Sequence, residues 1–292
     1  KWTLILQVAI VFIYGSVAKW YPDWINGTAP EIILKSKKDY FIIGELLQYN
    51  WVHYIIAYFG IFFDLLIIPM LLWKRTRVLG FYLSLFFNLF NSIVFQVGIF
   101  PYMSIAFLLF FFSSETIQKR FKLKNEIYVE HQVAIPKQNN ILIGILLVYF
   151  LFQIGLPIRH WMIQDDVLWT EEGHRMSWRM MLRSKSGTLI VRIEDKKTKE
   201  NKVYDYKKLL SPKQVRSVAT KPDLMWQLVQ KIKAIETKKG NDVAIYVNSK
   251  VSVNGGPYHQ FTNPKIDIAN LNWELLKHSS WLLPSPEDYQ NK

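Results

Sequence analysis

Lys19 is the first residue that could do chemistry, because it follows directly on an apolar run and precedes the aromatic pair Trp20 and Tyr21. A lysine in this position is often an anchor whose charged head reaches the polar edge of a membrane. A partly buried lysine can instead serve as a base, because burial disfavours the ammonium and leaves some free amine. The sequence keeps both interpretations open.

Polar side chains also interrupt the second and third apolar segments of the chain. Asp64 lies near the middle of the second segment, where a carboxylate costs about 2.5–3.5 kcal/mol on membrane insertion scales. We expect it to face the interior of a helix bundle, either protonated, hydrogen-bonded for structural reasons or part of a site. In the third segment, polar residues at four-residue spacing predict one polar helix face, which would serve interhelical hydrogen bonding or line a pocket within the bundle. These residues are Ser84, Asn88, Ser92 and Gln96, with Asn91 beside them.

The densest set of candidate binding residues follows the last apolar segment. Two arginines, two histidines and three tryptophans fall within residues 159–178. An aromatic belt would account for the tryptophans, whereas arginine and imidazolium bind carboxylates and indole faces supply apolar walls. We therefore expect an anionic substrate here, and no metal, since the histidine spacing is not that of a metal site. The candidate residues are Arg159, His160, Trp169, His174, Arg175 and Trp178.

Composition sets the limits for these candidates. The chain has 292 residues and no cysteine, which excludes a disulfide scaffold, thiolate catalysis and cysteine-ligated metals. Residues 157–292 carry 23 Lys and Arg against 15 Asp and Glu, a net charge of +8. This charge indicates either an ordinary solvated surface or attraction to anionic lipid or acidic peptide.

Lys19, Asp64 and the polar residues of the third segment lie in or beside a series of five apolar segments. These segments are residues 2–18, 51–73, 78–99, 100–113 and 141–156. A helix needs about 20 apolar residues to cross a bilayer. The second and third segments meet this length, the first is marginal, and the last two are short enough to be tilted, re-entrant or extended by flanking residues. We predict a polytopic α-helical membrane domain at residues 1–156. Because the chain begins at Lys1 without a methionine, we also expect an upstream segment.

Basic loops orient this domain, since Lys and Arg favour the cytoplasmic side. Residues 74–77 and 119–124 are the basic loops, and we place both in the cytoplasm. The loop at residues 19–50 and everything after Leu156 then lie on the extracytoplasmic face, where nucleic acid is not an expected partner.

Residues 157–292 predict a small extracytoplasmic α+β domain with a β-sheet. Strands are expected at residues 188–194, 243–248 and 251–253, the last ended by the turn residues Asn254, Gly255 and Gly256. A helix is expected over residues 222–233, where apolar residues recur at helical spacing after a proline.

The chain resembles the vitamin K-dependent gamma-carboxylase family, including its bacterial members with an HTTM membrane domain. The similarity keeps its order along nearly the whole chain, although the family's earliest spans would precede residue 1. The similar positions are residues 7–11, 16–19, 23–24, 64, 91–100, 156–157, 160, 169–170, 177–178, 180–181, 252–254, 264–268 and 280–281.

The resemblance implies that Lys19 is the base that activates vitamin K hydroquinone or a related quinol. The polar positions that would then line a quinone pocket, or serve only the packing of the bundle, are Asp64, Asn88, Asn91 and Ser92. Oxidation of the quinol by O₂ to its epoxide would then generate the strong base that removes a γ-proton from a peptide glutamate, and the carbanion would capture CO₂. The resemblance also implies that His160, Trp169 and Trp178 belong to a glutamate-binding region. Its expected partners are a glutamate-containing peptide or protein and the lipid bilayer, and we expect a bacterial inner membrane.

Three positions depart from the animal members that the chain resembles. Asn88 replaces a histidine, His174 replaces a tyrosine and Gly256 replaces an arginine. Two alternatives therefore remain beside the carboxylase. One is quinol oxidation or epoxidation without carboxylation, and the other is a non-catalytic membrane protein with a periplasmic binding domain.

Overall fold

The computed structural model describes residues 1–122 and 139–286. The chain divides into two compact units, Lys1–Leu156 and Pro157–Lys292. The first unit is helical, with several apolar helices, and the second is a small α+β domain built on a four-stranded antiparallel sheet. The predicted fold class is confirmed.

The first unit contains eight α-helices within the described residues, joined by short 3₁₀ and π segments. They are α1 (Trp2–Val17), α2 (Pro22–Ile25), α3 (Thr28–Lys35), α4 (Asn50–Leu72), α5 (Arg77–Phe90), α6 (Phe100–Leu108), α7 (Ser114–Phe121) and α8 (Asn139–Ile158). Each of the five predicted apolar segments forms a helix. Of the predicted basic loop at residues 119–124, residues 123 and 124 lie outside the described part of the chain.

Three helical stretches within the described residues are long and apolar enough to cross a membrane: Asn50–Leu72, Arg77–Phe95 and Asn139–Met162. A fourth crossing would need the pair Phe100–Phe111 and Ser114–Phe121, which is bent by 115°. Helix α1 has 16 residues. At 1.5 Å per residue it is about 24 Å long, slightly less than the apolar thickness of a bilayer.

The polar face predicted for the third apolar segment continues only as far as Asn88. Ser84 and Asn88 are buried, but Asn91–Phe95 then forms a π-helical turn and Gln96 adopts a left-handed conformation. The prediction that these residues share one helix face is therefore wrong beyond Asn88, because a π turn holds more residues than an α turn. Gln96 is exposed and hydrogen-bonds the Tyr40 hydroxyl at 2.9 Å.

The sheet of the second unit has the order β2-β1-β3-β4, with every neighbouring pair antiparallel. Its strands are β1 (Lys185–Asp195), β2 (Asn201–Val203), β3 (Val243–Val253) and β4 (His259–Gln260), and its helices are α9 (Val167–Thr170), α10 (Pro212–Val218) and α11 (Pro222–Lys238). The two strands predicted at residues 243–248 and 251–253 are one strand, because the intervening Ser249 and Lys250 continue the pairing with β1. The predicted helix at residues 222–233 extends to Lys238.

The core of the second unit lies between the sheet and α11. Alternate residues of β1 and β3 face it, as expected for a sheet with one buried side. Val191, Ile193, Ile245 and Val247 are almost completely buried and share this core with Ile232 of α11.

Gly173 packs directly against the backbone of His160. Its φ is +70°, and a Cβ there would lie 2.8 Å from both the Cα and the Cβ of His160. Gly240 offers a contrast, with a φ of +84° and, among the described residues, no heavy atom within 4 Å of the place that a Cβ would take. Substitution of Gly240 would therefore incur only the cost of a left-handed backbone, whereas substitution of Gly173 would add the cost of a steric clash.

We expect Gly240→Ala to lower the free energy of unfolding by about 1 kcal/mol, because only the left-handed conformation is penalised. Gly173→Ala should cost at least about 1 kcal/mol more, since the backbone of His160 must also move. Thermal unfolding of the purified protein, followed by circular dichroism, measures both. Equal losses for the two variants would contradict the close packing of Gly173 on His160.

Candidate functional site

Lys19 and Asp64, widely separated in sequence, form a buried ion pair within the helical unit. The Lys19 ammonium contacts Asp64 Oδ2 and donates a hydrogen bond to the carbonyl of Gly15 at 3.1 Å. The two side chains are only 12% and 8% exposed. Lys19 therefore turns back into the helices and is not an exposed anchor.

Small and aromatic residues shape the surroundings of this pair. A Cβ at Gly15 would lie 3.1 Å from Asp64 Oδ2, and one at Gly60 would lie 3.8 Å from Lys19 Cε. The Lys19 ammonium lies 5.9 Å from the centre of the Trp24 ring, which donates its indole N–H to the Ala57 carbonyl at 3.1 Å. The arrangement can hold a proton on the amine, because the carboxylate neutralises the resulting charge.

The other polar residues predicted for the bundle make no observed hydrogen bond to this pair within the described residues. Asn88 donates its side-chain amide to the Ser84 carbonyl at 2.8 Å, and Ser92 donates to the Tyr102 hydroxyl at 2.7 Å. Asn91 is half-buried. Within the described residues, no hydrogen bond connects Asn88, Asn91 or Ser92 to Lys19 or Asp64. Their assignment to a quinone pocket stays a prediction.

The second unit holds a buried charge cluster that the sequence did not predict. Arg183 pairs with Glu171 through both carboxylate oxygens, with its Nε 2.8 Å from Oε1. Lys185 lies 3.7 Å from Glu171 Oε1 and donates to the backbone carbonyl of Trp169. Its ammonium also lies 4.1 Å from the centre of the Phe261 ring. One carboxylate thus faces two cations.

Burial and the neighbouring charges together set the protonation of the cluster. Burial would raise the pKa of Glu171, but the charges of Arg183 and Lys185 hold it below its usual value. Burial lowers the pKa of Lys185 to about 7, and the charge of Arg183 adds to this effect, although Glu171 opposes it. The amine of Lys185 is consequently divided between its charged and neutral forms near neutral pH.

The two predicted histidines differ in their hydrogen bonding. His160 lies with Nδ1 2.7 Å from the Pro157 carbonyl and Nε2 3.3 Å from Arg179 Nη1. Because arginine only donates, Nε2 accepts and the proton is on Nδ1. For His174, burial and the charge of Arg183 lower the pKa to about 4.

Several of the predicted residues carry buried polar atoms without a partner among the described residues. These atoms are Arg159 Nε, His174 Nδ1 and Trp178 Nε1. Buried polar groups are normally hydrogen-bonded, so atoms of this kind are what a bound ligand would satisfy. The same loop is strained, since Met176, Trp178 and Met181 all adopt positive φ values between 53° and 58°. Strain in bulky residues concentrates at functional sites.

Two of the predicted substrate-binding residues, Trp169 and Arg175, interact with other side chains and backbone groups of the protein. Trp169 is 1% exposed, packs edge-on against Phe261 and donates its indole N–H to the Leu283 carbonyl at 3.0 Å. Arg175 forms an ion pair with Asp223 at 2.8 Å, and its carbonyl accepts a hydrogen bond from Arg159 at 2.7 Å. The structure therefore brings Arg159 and Arg175 together and places Trp169 in the core.

Glu171, Arg183 and Lys185 are the residues that sequence reasoning missed. Arg183 and Lys185 are two positions apart where β1 begins, so alternation along an extended chain puts them on the same side. That spacing was the available signal, but nothing in the sequence marks Glu171 as their partner. Within residues 1–122 and 139–286, no group of three or more His, Asp or Glu side chains could hold a metal ion. The expectation of no metal stays a prediction.

We expect the stability of the folded protein to rise between about pH 7 and pH 10 because of Lys185. An unfolded lysine titrates near pH 10.4, roughly, so over this interval the unfolded state binds more protons than the folded state and a higher pH favours folding. Below pH 7 both states are protonated and the penalty is constant. Lys185→Met should remove the rise, whereas Lys250→Met, at an exposed position of β3, should keep it. Urea unfolding at a series of pH values measures this, and parallel curves for the wild type and Lys185→Met would contradict it.

Comparisons with known protein families agree with this division of the chain. The model described as the HTTM domain matches residues 1–115, which include Lys19 and Asp64. The model described as the vitamin K-dependent gamma-carboxylase, lumenal domain, matches residues 138–288, which include Arg159 and the charge cluster around Glu171. No solved structure gives a significant match to the chain. Two adjoining family models in this order, together with the apolar helices, support association with a membrane. The chain belongs to the vitamin K-dependent gamma-carboxylase family.

Proposed function

We propose that the protein is a membrane-embedded enzyme that couples oxidation of a quinol, such as vitamin K hydroquinone, to carboxylation of glutamate in a peptide or protein. The buried Lys19–Asp64 pair carries this proposal, because it provides a lysine held for proton transfer inside an apolar helical unit. Family membership supplies the reaction class. A bacterial inner membrane with residues 157–292 on its extracytoplasmic side completes the proposal.

Lys19 is the proposed base. In its free-amine form it would accept the proton of a quinol hydroxyl, and the Asp64 carboxylate would stabilise the ammonium that results. The Gly15 carbonyl accepts a hydrogen bond from the same nitrogen and fixes its direction. A fixed partner on each side leaves the amine few alternative positions, which favours proton transfer to one site.

Two glycines and an aromatic side chain border Lys19. A Cβ would lie 3.9 Å from Lys19 Nζ at Gly15 and 3.8 Å from Lys19 Cε at Gly60, and the Trp24 indole offers an aromatic face beside the amine. When bound, the quinol would supply the reducing equivalents for O₂ and the strong base that a lysine amine cannot provide towards a glutamate γ-carbon. The protein would position the ring, exclude water and hold the proton.

The glutamyl substrate is proposed to bind to the second unit. Arg159, His174 and Trp178 have buried donors that a carboxylate could satisfy. His160 keeps its Nε2 towards Arg179 and would orient that guanidinium, while Arg175 contributes less because Asp223 already neutralises it. Trp169 would act as a structural support for the site from within the core.

The experiment that tests the function follows two products at once. The protein in nanodiscs receives reduced vitamin K, O₂, ¹⁴C-bicarbonate and a glutamate-rich peptide. Epoxide together with peptide-bound label is the expected result. Epoxide alone would replace the proposal by quinol oxidation without carboxylation. Neither product from a folded preparation would overturn both.

Lys19→Ala and Lys19→Arg should each lower epoxide formation by about 100-fold or more, the usual contribution of a general base. Arginine fails because its guanidinium stays protonated. Lys37→Ala is the matched control. Lys37 also lies in the helical unit, with its ammonium 5.1 Å from the centre of the Tyr40 ring, but it hydrogen-bonds Tyr40 and not Asp64. This variant should keep full activity. Equal turnover in Lys19→Arg and the wild type would exclude Lys19 as the base.

A further inference from the structure

A cleft in the second unit extends from Arg159 across the first turns of α11. Its volume is about 260 Å³. Arg159 and Arg175 line one end, and Trp226, Trp273, Met176 and Leu275 provide aromatic and aliphatic walls. Met176 is 66% exposed and Leu275 is 61% exposed, although both are large apolar side chains. The cleft therefore joins a cationic end to an apolar surface that faces solvent.

Hydrogen bonds hold the aromatic walls in place. Trp226 donates its indole N–H to the Leu271 carbonyl at 2.8 Å, and Lys233 donates to the Ala269 carbonyl at 3.0 Å. These bonds fasten the loop that carries Trp273 to α11. The rings of Trp226 and Trp273 lie 6.5 Å apart at an angle of 49°. A wall fixed before binding loses little entropy when a ligand arrives.

The charges of the cleft favour a carboxylate at the Arg159 end. Glu171 is paired with Arg183, and Asp223 is paired with Arg175. Within the described residues no carboxylate forms an ion pair with Arg159, and its buried Nε has no hydrogen-bond partner. Glu274 also lines the cleft and is exposed, so peptide N–H groups could reach it.

The volume of the cleft favours a single side chain over a whole cofactor as its ligand. Sites for whole cofactors and drug-sized molecules are usually about 300–1,000 Å³. A cleft below that range fits one large side chain better than a quinol with its isoprenoid tail. Aromatic side chains are the usual anchors in such pockets.

We propose that this cleft binds a large apolar side chain of the peptide substrate, within one or two residues of the glutamate whose carboxylate is bound at Arg159. The inference rests on the proposed function and adds a rule of substrate choice to it. Glutamates beside a phenylalanine or leucine are preferred over glutamates flanked by small residues. Trp226, Trp273 and Leu275 are the residues that determine this preference.

Fluorescence anisotropy on the full chain in nanodiscs tests the preference. Two labelled peptides are compared, each with one glutamate in a serine–glycine background and with either phenylalanine or alanine two residues away. The phenylalanine peptide should bind about tenfold more tightly, since a buried aromatic side chain contributes at least that much. A third peptide, with glutamine replacing the glutamate, should lose affinity because Arg159 then has no carboxylate.

Two adjacent leucines supply a matched pair of variants. Leu275 and Leu276 are 61% and 59% exposed, but only Leu275 lines the cleft. Leu275→Asp should reduce the affinity for the phenylalanine peptide to that for the alanine peptide, whereas Leu276→Asp should preserve the tenfold difference. Because both variants add the same charge at the same exposure, a general effect on folding or charge would change both.

Equal dissociation constants for the two peptides would overturn the inference even if the preparation carboxylates glutamate. Equal losses in Leu275→Asp and Leu276→Asp would also overturn it. The result of the assay for epoxide and peptide-bound label is independent of the anisotropy result, because anisotropy measures binding and needs no turnover. Failure of the proposed function and failure of the cleft assignment are therefore distinguishable.

Discussion

The helical unit depends on one buried ion pair. A charge without its partner in an apolar interior is very costly, and breaking a buried pair typically costs about 3–5 kcal/mol. The Lys19–Asp64 contact therefore fixes how the end of α1 meets the middle of α4. The hydrogen bond from Ser16 to the Ile61 carbonyl, at 3.0 Å, lies beside it and holds the same register. A glycine at position 15 suits this pair, since a Cβ there would lie 3.1 Å from Asp64 Oδ2.

The second unit balances its buried charges differently. One carboxylate, Glu171, faces Arg183 and Lys185, so the cations outnumber the carboxylate whenever Lys185 is protonated. Arginine keeps its proton, whereas burial lowers the pKa of Lys185 to about 7. Burial, with the charge of Arg183 adding to its effect, also lowers the pKa of His174 to about 4. A region whose buried cations outnumber the carboxylate that they face is suited to an anionic ligand. Arg159, whose Nε has no partner within the described residues, indicates the same.

Much of this arrangement follows from the sequence, and the reasons for the remainder are physical. Apolar length predicted each long helix of the first unit, and β-branched residues predicted β1 and β3. The π turn at Asn91–Phe95 was not predictable, because it depends on packing and not on local composition. Lys19 and Asp64 were each identifiable as unusual, but their pairing is a long-range contact that periodicity cannot reveal. Trp169 was indistinguishable by sequence from the exposed tryptophans, although it lies in the core.

Two of the three departures from the animal members acquire a physical meaning in this structure. Asn88 gives its amide to the Ser84 carbonyl of its own helix, so it offers no titrating group where a histidine stands in those members. Within residues 1–122 the single histidine is His53, whose Nε2 is engaged with the Leu47 carbonyl at 2.9 Å. His174, with a pKa of about 4, is neutral at physiological pH and can hydrogen-bond as the tyrosine it replaces would. Under the proposed function, asparagine at position 88 would leave proton transfer to the Lys19–Asp64 pair, and histidine at position 174 would keep a neutral hydrogen-bonding group in the proposed substrate region.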